Sequence, residues 1–202
     1  MEAIIGRIER ELGEIEERRE KLIKESRTVL SHVRRAISSI HTGDLERAES
    51  FLKEVEKLLR ELRKVAKEDL RKYIVPAEGE YVEAVCLKRL IEGGEIPWPE
   101  EVDVQYTSYL HGLLDCVGEL RRCVLDQVKE GKFDRSVKLF QIMEAIYSAL
   151  LPLSIYDNLI QGLRRKIDVA RMQVEETRSL LVEEASRRRL IEEISKLEQS
   201  RG

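Results

Sequence analysis

Apolar residues recur at intervals of three and four through most of the chain. Near the N-terminus they fall at Ile4, Ile5, Ile8, Leu12, Ile15, Leu22, Ile23, Val29, Leu30, Val33 and Ile37. That spacing is close to the 3.6 period of an amphipathic helix, and it predicts a first helix from about Glu2 to Ile40. Thr42-Gly43-Asp44 then reads as a turn, with Asp44 as the N-cap of a second helix. Leu45, Ala48, Phe51, Leu52, Val55, Leu58, Leu59, Leu62, Val65 and Leu70 carry that helix to about Tyr73, where Pro76 is expected to close it. A third helix is expected from Glu78 to Glu92, ending at Gly93-Gly94. The segment Gly94-Glu95-Ile96-Pro97-Trp98-Pro99 cannot be helical throughout, because two prolines fix φ and remove donors. Further helices are predicted from Val104 to Glu130, from Asp134 to just before Pro152, and from a Ser154 cap, with Asp157 three residues on, to about Leu197.

No run alternates with period two for long enough to form a strand, and no repeat of 20–50 residues stands out. The predicted fold is all-α, an elongated bundle of six to seven long helices in one domain covering residues 1–202. Residues 183–202 form a highly charged C-terminal extension expected to fray. Helices this long expose apolar stripes that self-association would bury.

Composition narrows the function. The chain has 202 residues, 42% hydrophobic and 37% charged, with a net charge of −3. It has enough apolar content for a core, and it is not a generally basic nucleic-acid binder, although a local basic patch remains open. The acidic, periodic N-terminus does not resemble a signal peptide, and no stretch approaches the roughly 18 apolar residues of a membrane span. Cys86, Cys116 and Cys123 form no CxxC pair and read as small buried hydrophobes. The expected address is cytoplasmic, away from membranes.

Most acidic residues here are surface charge, but two pairs stand apart. On a helical wheel Glu80 and Glu83 share a sector of about 100° with Leu87, Leu90 and Ile91, on a helix that is apolar nearly all round and therefore buried. On the fourth helix Asp115 and Glu119 project one turn apart beside an apolar face, near His111 and Arg122. Gly118 lies close by, and a mid-helix glycine suggests close approach of a backbone or ligand. If the third and fourth helices face each other, Glu80, Glu83, Asp115 and Glu119 could converge. Four carboxylates in a dry site need a cation, and oxygen-only ligands favour Mg²⁺ or Mn²⁺ over zinc. The bland alternative is two unrelated acidic edges paired with Arg121 and Arg122. A ferritin-like di-iron site is not supported, because none of His32, His41 and His111 follows a Glu by three residues.

Five stretches resemble the translin family, and more particularly its catalytic branch, translin-associated factor X (Trax). They are Arg19 to Arg27, Glu80-Tyr81-Val82-Glu83-Ala84-Val85, Tyr109 to Arg122, Gly131-Lys132-Phe133-Asp134-Arg135, and Leu163 to Asp168 continuing through Val174-Glu175-Glu176. The resemblance implies a seven-helix all-α fold, a closed and octameric shell, and a metal-dependent endoribonuclease acting on single-stranded or strand-accessible RNA. It further implies that Glu83 and Glu119 hold Mg²⁺ or Mn²⁺, with Glu80 and Asp115 completing the site or orienting water. The chain lacks the long insert before the fourth helix and the basic targeting tail of eukaryotic members, so a homo-oligomer in which every subunit is catalytic is expected.

RNA would need cations despite the acidic total. Candidates are Arg34, Arg35, Arg121, Arg122, Arg164, Arg165, Lys166 and Arg187 to Arg189, with Arg121 and Arg122 favoured because they follow Glu119 within a turn. Tyr81 and Trp98 are candidates for base stacking, although packing is the more ordinary use of both. Two other functions stay open at this point: a non-catalytic translin-like oligomer binding RNA or single-stranded DNA, and an all-α nucleotide pyrophosphatase.

Overall fold

A computed structural model of the chain describes residues 1–200. Among these residues there is no strand. Six α-helices are present: α1 (Glu2–His41), α2 (Leu45–Val65), α3 (Val75–Ile91), α4 (Tyr106–Lys129), α5 (Phe133–Leu150) and α6 (Leu163–Gln199). Two 3₁₀ segments, Glu68–Tyr73 and Leu151–Tyr156, precede α3 and follow α5. The chain divides into two compact units, Met1–Cys116 and Val117–Gly202.

In the first unit α1 and α2 form a helical hairpin. The turn is built as its residues dictate: Gly43 takes φ +79°, and the Asp44 carboxylate accepts from Arg47 N at 3.1 Å. The buried seam of α1 runs through Leu22, Ser26, Val29, Val33, Ala36 and Ile40, with Ser39 buried beside it, and that of α2 through Ala48, Leu52, Val55, Leu59 and Leu62. Both series alternate steps of four and three, the seam spacing of coiled-coil packing. α3 packs against both helices. Residues 1–20 of α1 contribute nothing to this core, and Ile4, Ile5, Ile8, Leu12 and Ile15 are exposed.

The passage from α2 to α3 differs from the sequence expectation. The helix stops at Val65, without proline or glycine, and a 3₁₀ turn follows. Long-range bonds hold that turn: Ser26 Oγ donates to Tyr73 O at 3.3 Å, and Arg19 Nε donates to Tyr73 Oη at 3.0 Å. Pro76 does not close α2 but sits in the first turn of α3, where its missing N–H has no partner to lose.

In the second unit α5 and α6 pack through Leu139, Phe140, Met143, Ile146 and Leu150 against a 3/4-spaced row of Leu163, Ile167, Ala170, Val174, Thr177 and Leu181. α6 begins eight residues later than a Ser154 cap would have it. Gly162 is its N-cap at φ +82°, and Asp157 caps it from a distance by accepting from Arg164 N at 2.9 Å. α6 is helical to Gln199, through most of the charged extension; Arg201 and Gly202 lie outside the described residues. Phe133–Tyr156 is, by length and composition, apolar enough to cross a membrane, with a mean hydropathy of 1.3. It contains the α5 residues that pack on α6.

Candidate carboxylate site

The close approach of α3 and α4 within the first unit positions the acidic residues. A Cβ placed on Gly112 would lie 2.4 Å from Gly79 O and 2.6 Å from Val82 Cβ. A Cβ on Gly79 would lie 3.6 Å from Ser108 O and 3.8 Å from His111 Cβ. The helices therefore meet backbone to backbone, which only glycine at Gly112 permits. Gly112 is thus the glycine whose helix partner demands it. Gly118, singled out by sequence, instead faces the Gln173 side chain, with its would-be Cβ 3.2 Å from Nε2.

This contact orients two helical stripes. On α4, Ser108 and Gly112 both touch α3, and Asp115 continues their i, i+4, i+7 row. Glu119 is the next member of that row along α4. On α3, Gly79 touches α4, and Glu83 lies one turn further on the same side. Glu83 is buried at 9% exposure, while Glu80, Asp115 and Glu119 are half-buried. Carboxylates at such positions need cationic or hydrogen-bonding company, and all four have partners. Among the described residues no group of three or more His, Cys, Asp or Glu is clustered as a ready-made metal cage.

The most deeply buried carboxylate is one that sequence reasoning passed over. Glu78 is 0% exposed. Its Oε1 accepts from Arg63 Nε at 2.8 Å and its Oε2 from Ser108 Oγ at 2.8 Å, while Arg63 Nη1 donates to Asp103 at 2.9 Å. Those partners lie 15 and 30 residues away along the chain, so periodicity carried no trace of them. The apolar character of α3 was the signal that could have flagged it.

Neighbouring thiols and phenols are neutral. Burial, with Glu83 adding to it and Arg89 opposing, pushes the Cys86 thiol up to about 12. Burial likewise raises Tyr81 to about 12. Tyr81 is 6% exposed and is not available for stacking, whereas Trp98 is 74% exposed. Concave surfaces in this unit include one of about 650 Å³ along Pro99 to Thr107 and one of about 320 Å³ between α2 and α3. Neither is lined by Glu80, Glu83 or Asp115. In the second, Lys88 pairs with Glu49 and Glu92, and Arg89 with Glu101.

The basic candidates divide by setting. Arg34 and Arg35 are exposed on α1, and Arg164 and Arg165 on α6; Lys166 is half-buried. Arg121 is tied to Glu176 at 2.7 Å, while Arg122 is exposed with Glu119 at 3.9 Å. Arg187 and Arg188 pair with Glu183 and Glu184, and Arg188 also donates to Gly131 O; Arg189 is exposed.

The sequence pattern of the Translin family matches residues 17–181. An uncharacterized protein of Methanocaldococcus jannaschii is 29% identical over 167 residues, which is 81% of this chain and 75% of that protein. The crystal structure of AfC3PO is similar at TM-score 0.83 and 33% identity, covering 91% of this chain and 98% of that one. A second structure of AfC3PO, in complex with duplex RNA, aligns equally well, at 33% identity over 91% of this chain and 97% of its own. Apo-NeC3PO shares the fold at TM-score 0.79 and 23% identity, covering 89% of this chain and 96% of that one. The signature spans both glycine-bearing helices and the four acidic positions, and this chain belongs to the translin family.

Proposed function

We propose that this protein is a Mg²⁺- or Mn²⁺-dependent endoribonuclease that binds single-stranded or strand-accessible RNA and works as a cytoplasmic homo-oligomer, an octamer by family resemblance. The observation that carries the reading is the glycine contact of α3 and α4, which turns the rows bearing Glu83 and Asp115 toward each other's helix. The donor set fits the ion: carboxylate oxygens alone favour a hard divalent cation over zinc. Glu83 and Glu119 would hold it, with Glu80 and Asp115 completing the set. When bound, the ion supplies Lewis acidity toward a phosphate oxygen and makes a water more acidic. The carboxylates of Asp115 and Glu80 orient the attacking water and take up its proton. The water oxygen bonds to phosphorus as the bond from phosphorus to the 3′ oxygen breaks, and that oxygen takes a proton from solvent, leaving a 5′ phosphate and a 3′ hydroxyl. Arg122, Arg34, Arg35, Arg164 and Arg165 are exposed cations for the phosphate backbone, with Arg121 and Lys166 as half-buried candidates. The duplex RNA bound to AfC3PO supports RNA as the ligand here.

One observation favours a binding-only oligomer for RNA or single-stranded DNA: no ready-made metal cage stands among the described residues. Cleavage of end-labelled single-stranded RNA with Mn²⁺ or EDTA separates the two. The expected result is cutting that needs Mn²⁺ and is lost in Glu83→Ala and Glu119→Ala, with RNA retention unchanged. Cutting that persists in EDTA or in both variants contradicts the metal nuclease, and retention without any cutting supports the binding oligomer.

A further inference from the structure

Glu78 stands apart from the carboxylates proposed to hold the ion. On a helical wheel it lies about 160° from Glu80 and about 140° from Glu83. It joins three helices: Arg63 comes from the last turn of α2 and Ser108 from the first turn of α4. Arg63 also reaches Asp103, a non-glycine residue at φ +51° in the connection leading into α4.

Such a network is a poor choice for packing alone, since an apolar side chain in its place is often no less stable. What charge-assisted hydrogen bonds add is direction. The α3–α4 contact has particular need of it. Its closest point is backbone against backbone at Gly79 and Gly112, so few side-chain knobs are there to stop one helix sliding along the other. We propose that Arg63, Glu78 and Ser108 form a positioning network that fixes the register of α3 against α4 and so sets where Glu83 stands relative to Asp115. The inference rests on the proposed function and deepens it.

The test uses the full-length chain, with Mn²⁺ binding followed by electron paramagnetic resonance and cleavage of labelled single-stranded RNA. Ser108→Ala and Glu78→Leu should weaken Mn²⁺ binding about 10-fold, the lower end of what outer-shell partners contribute to metal affinity. They should lower kcat while leaving the KM for RNA near the wild-type value. Glu78→Gln keeps an acceptor for Arg63 and turns a donor toward Ser108 Oγ, and it should restore binding to near the wild-type level. Ser136→Ala is the control for stability. Ser136 is fully buried in the second unit, and its hydroxyl donates to Phe133 O at 2.6 Å. It should lower Tm as Ser108→Ala does without touching Mn²⁺ affinity. Wild-type affinity and kcat in Ser108→Ala, or equal affinity in the Leu and Gln variants, would overturn the positioning role and leave the proposed function standing. Equal weakening by Ser136→Ala would also overturn it, as an effect of stability alone. A wild-type chain that neither binds Mn²⁺ nor cuts RNA would overturn the proposed function and this inference with it.

Discussion

A methyl group added at Gly112 would collide with the carbonyl of Gly79, which is backbone and cannot swing aside. Gly112→Ala should therefore cost about 1–3 kcal/mol or more, as overpacking does, and lower Tm measured by circular dichroism. Gly118→Ala meets only the flexible end of Gln173 and gains helix propensity, so it should change Tm little or raise it. Arg63→Ala leaves the buried Glu78 carboxylate without its counter-charge and should cost about 3–5 kcal/mol, seen as a fall in the urea midpoint. Cys86 gives the molecule an alkaline limit. Its ordinary value is 9.0 and its folded value is about 12, chiefly through burial. Above the unfolded value the unfolded chain releases a proton that the folded chain keeps, so stability is full below pH about 9 and falls as pH rises toward about 12. Cys123, raised to about 11 mainly by burial, acts in the same direction. Cys86→Ala should flatten the alkaline decline of Tm; an unchanged slope would contradict that origin.

At the scale of elements, local chemistry was legible and pairing was not. Asp44 and Gly43 announced their turn because a cap and a left-handed position depend on residues a few places away. Asp44→Ala should cost about 1 kcal/mol, read from the same melts. The 3/4 spacing of α1, α2 and α6 likewise stands in the letters. The break after Val65 does not, since it depends on Ser26 and Arg19 reaching Tyr73 across 47 and 54 residues. The start of α6 was misplaced for the same kind of reason: Asp157 caps a backbone N–H seven residues on, across a turn that Gly162 makes possible. The candidate site shows the same division. The burial of Glu83 followed from the apolar sector it shares, whereas Glu78 and Gly112 draw their meaning from partners that only the folded chain supplies.

At the scale of the whole molecule, both ends of the chain present apolar rows that its own core does not use. Ile4, Ile5, Ile8, Leu12 and Ile15 are exposed on α1, and Leu190, Ile191, Ile194 and Leu197 on α6. Rows of this kind suit contact with further copies. Ile8→Lys combined with Leu12→Lys should shift the protein to a smaller species in light scattering while its helical circular dichroism is kept. An unchanged mass would remove the α1 row from the assembly. The central claim is that acidic residues from α3 and α4 share a divalent ion. The most direct measurement is anomalous X-ray diffraction from crystals grown with Mn²⁺. The account predicts an anomalous peak contacted by Glu83 and Glu119, with Glu80 and Asp115 around it. Crystals with those carboxylates turned away from one another, and no peak among them, would contradict it.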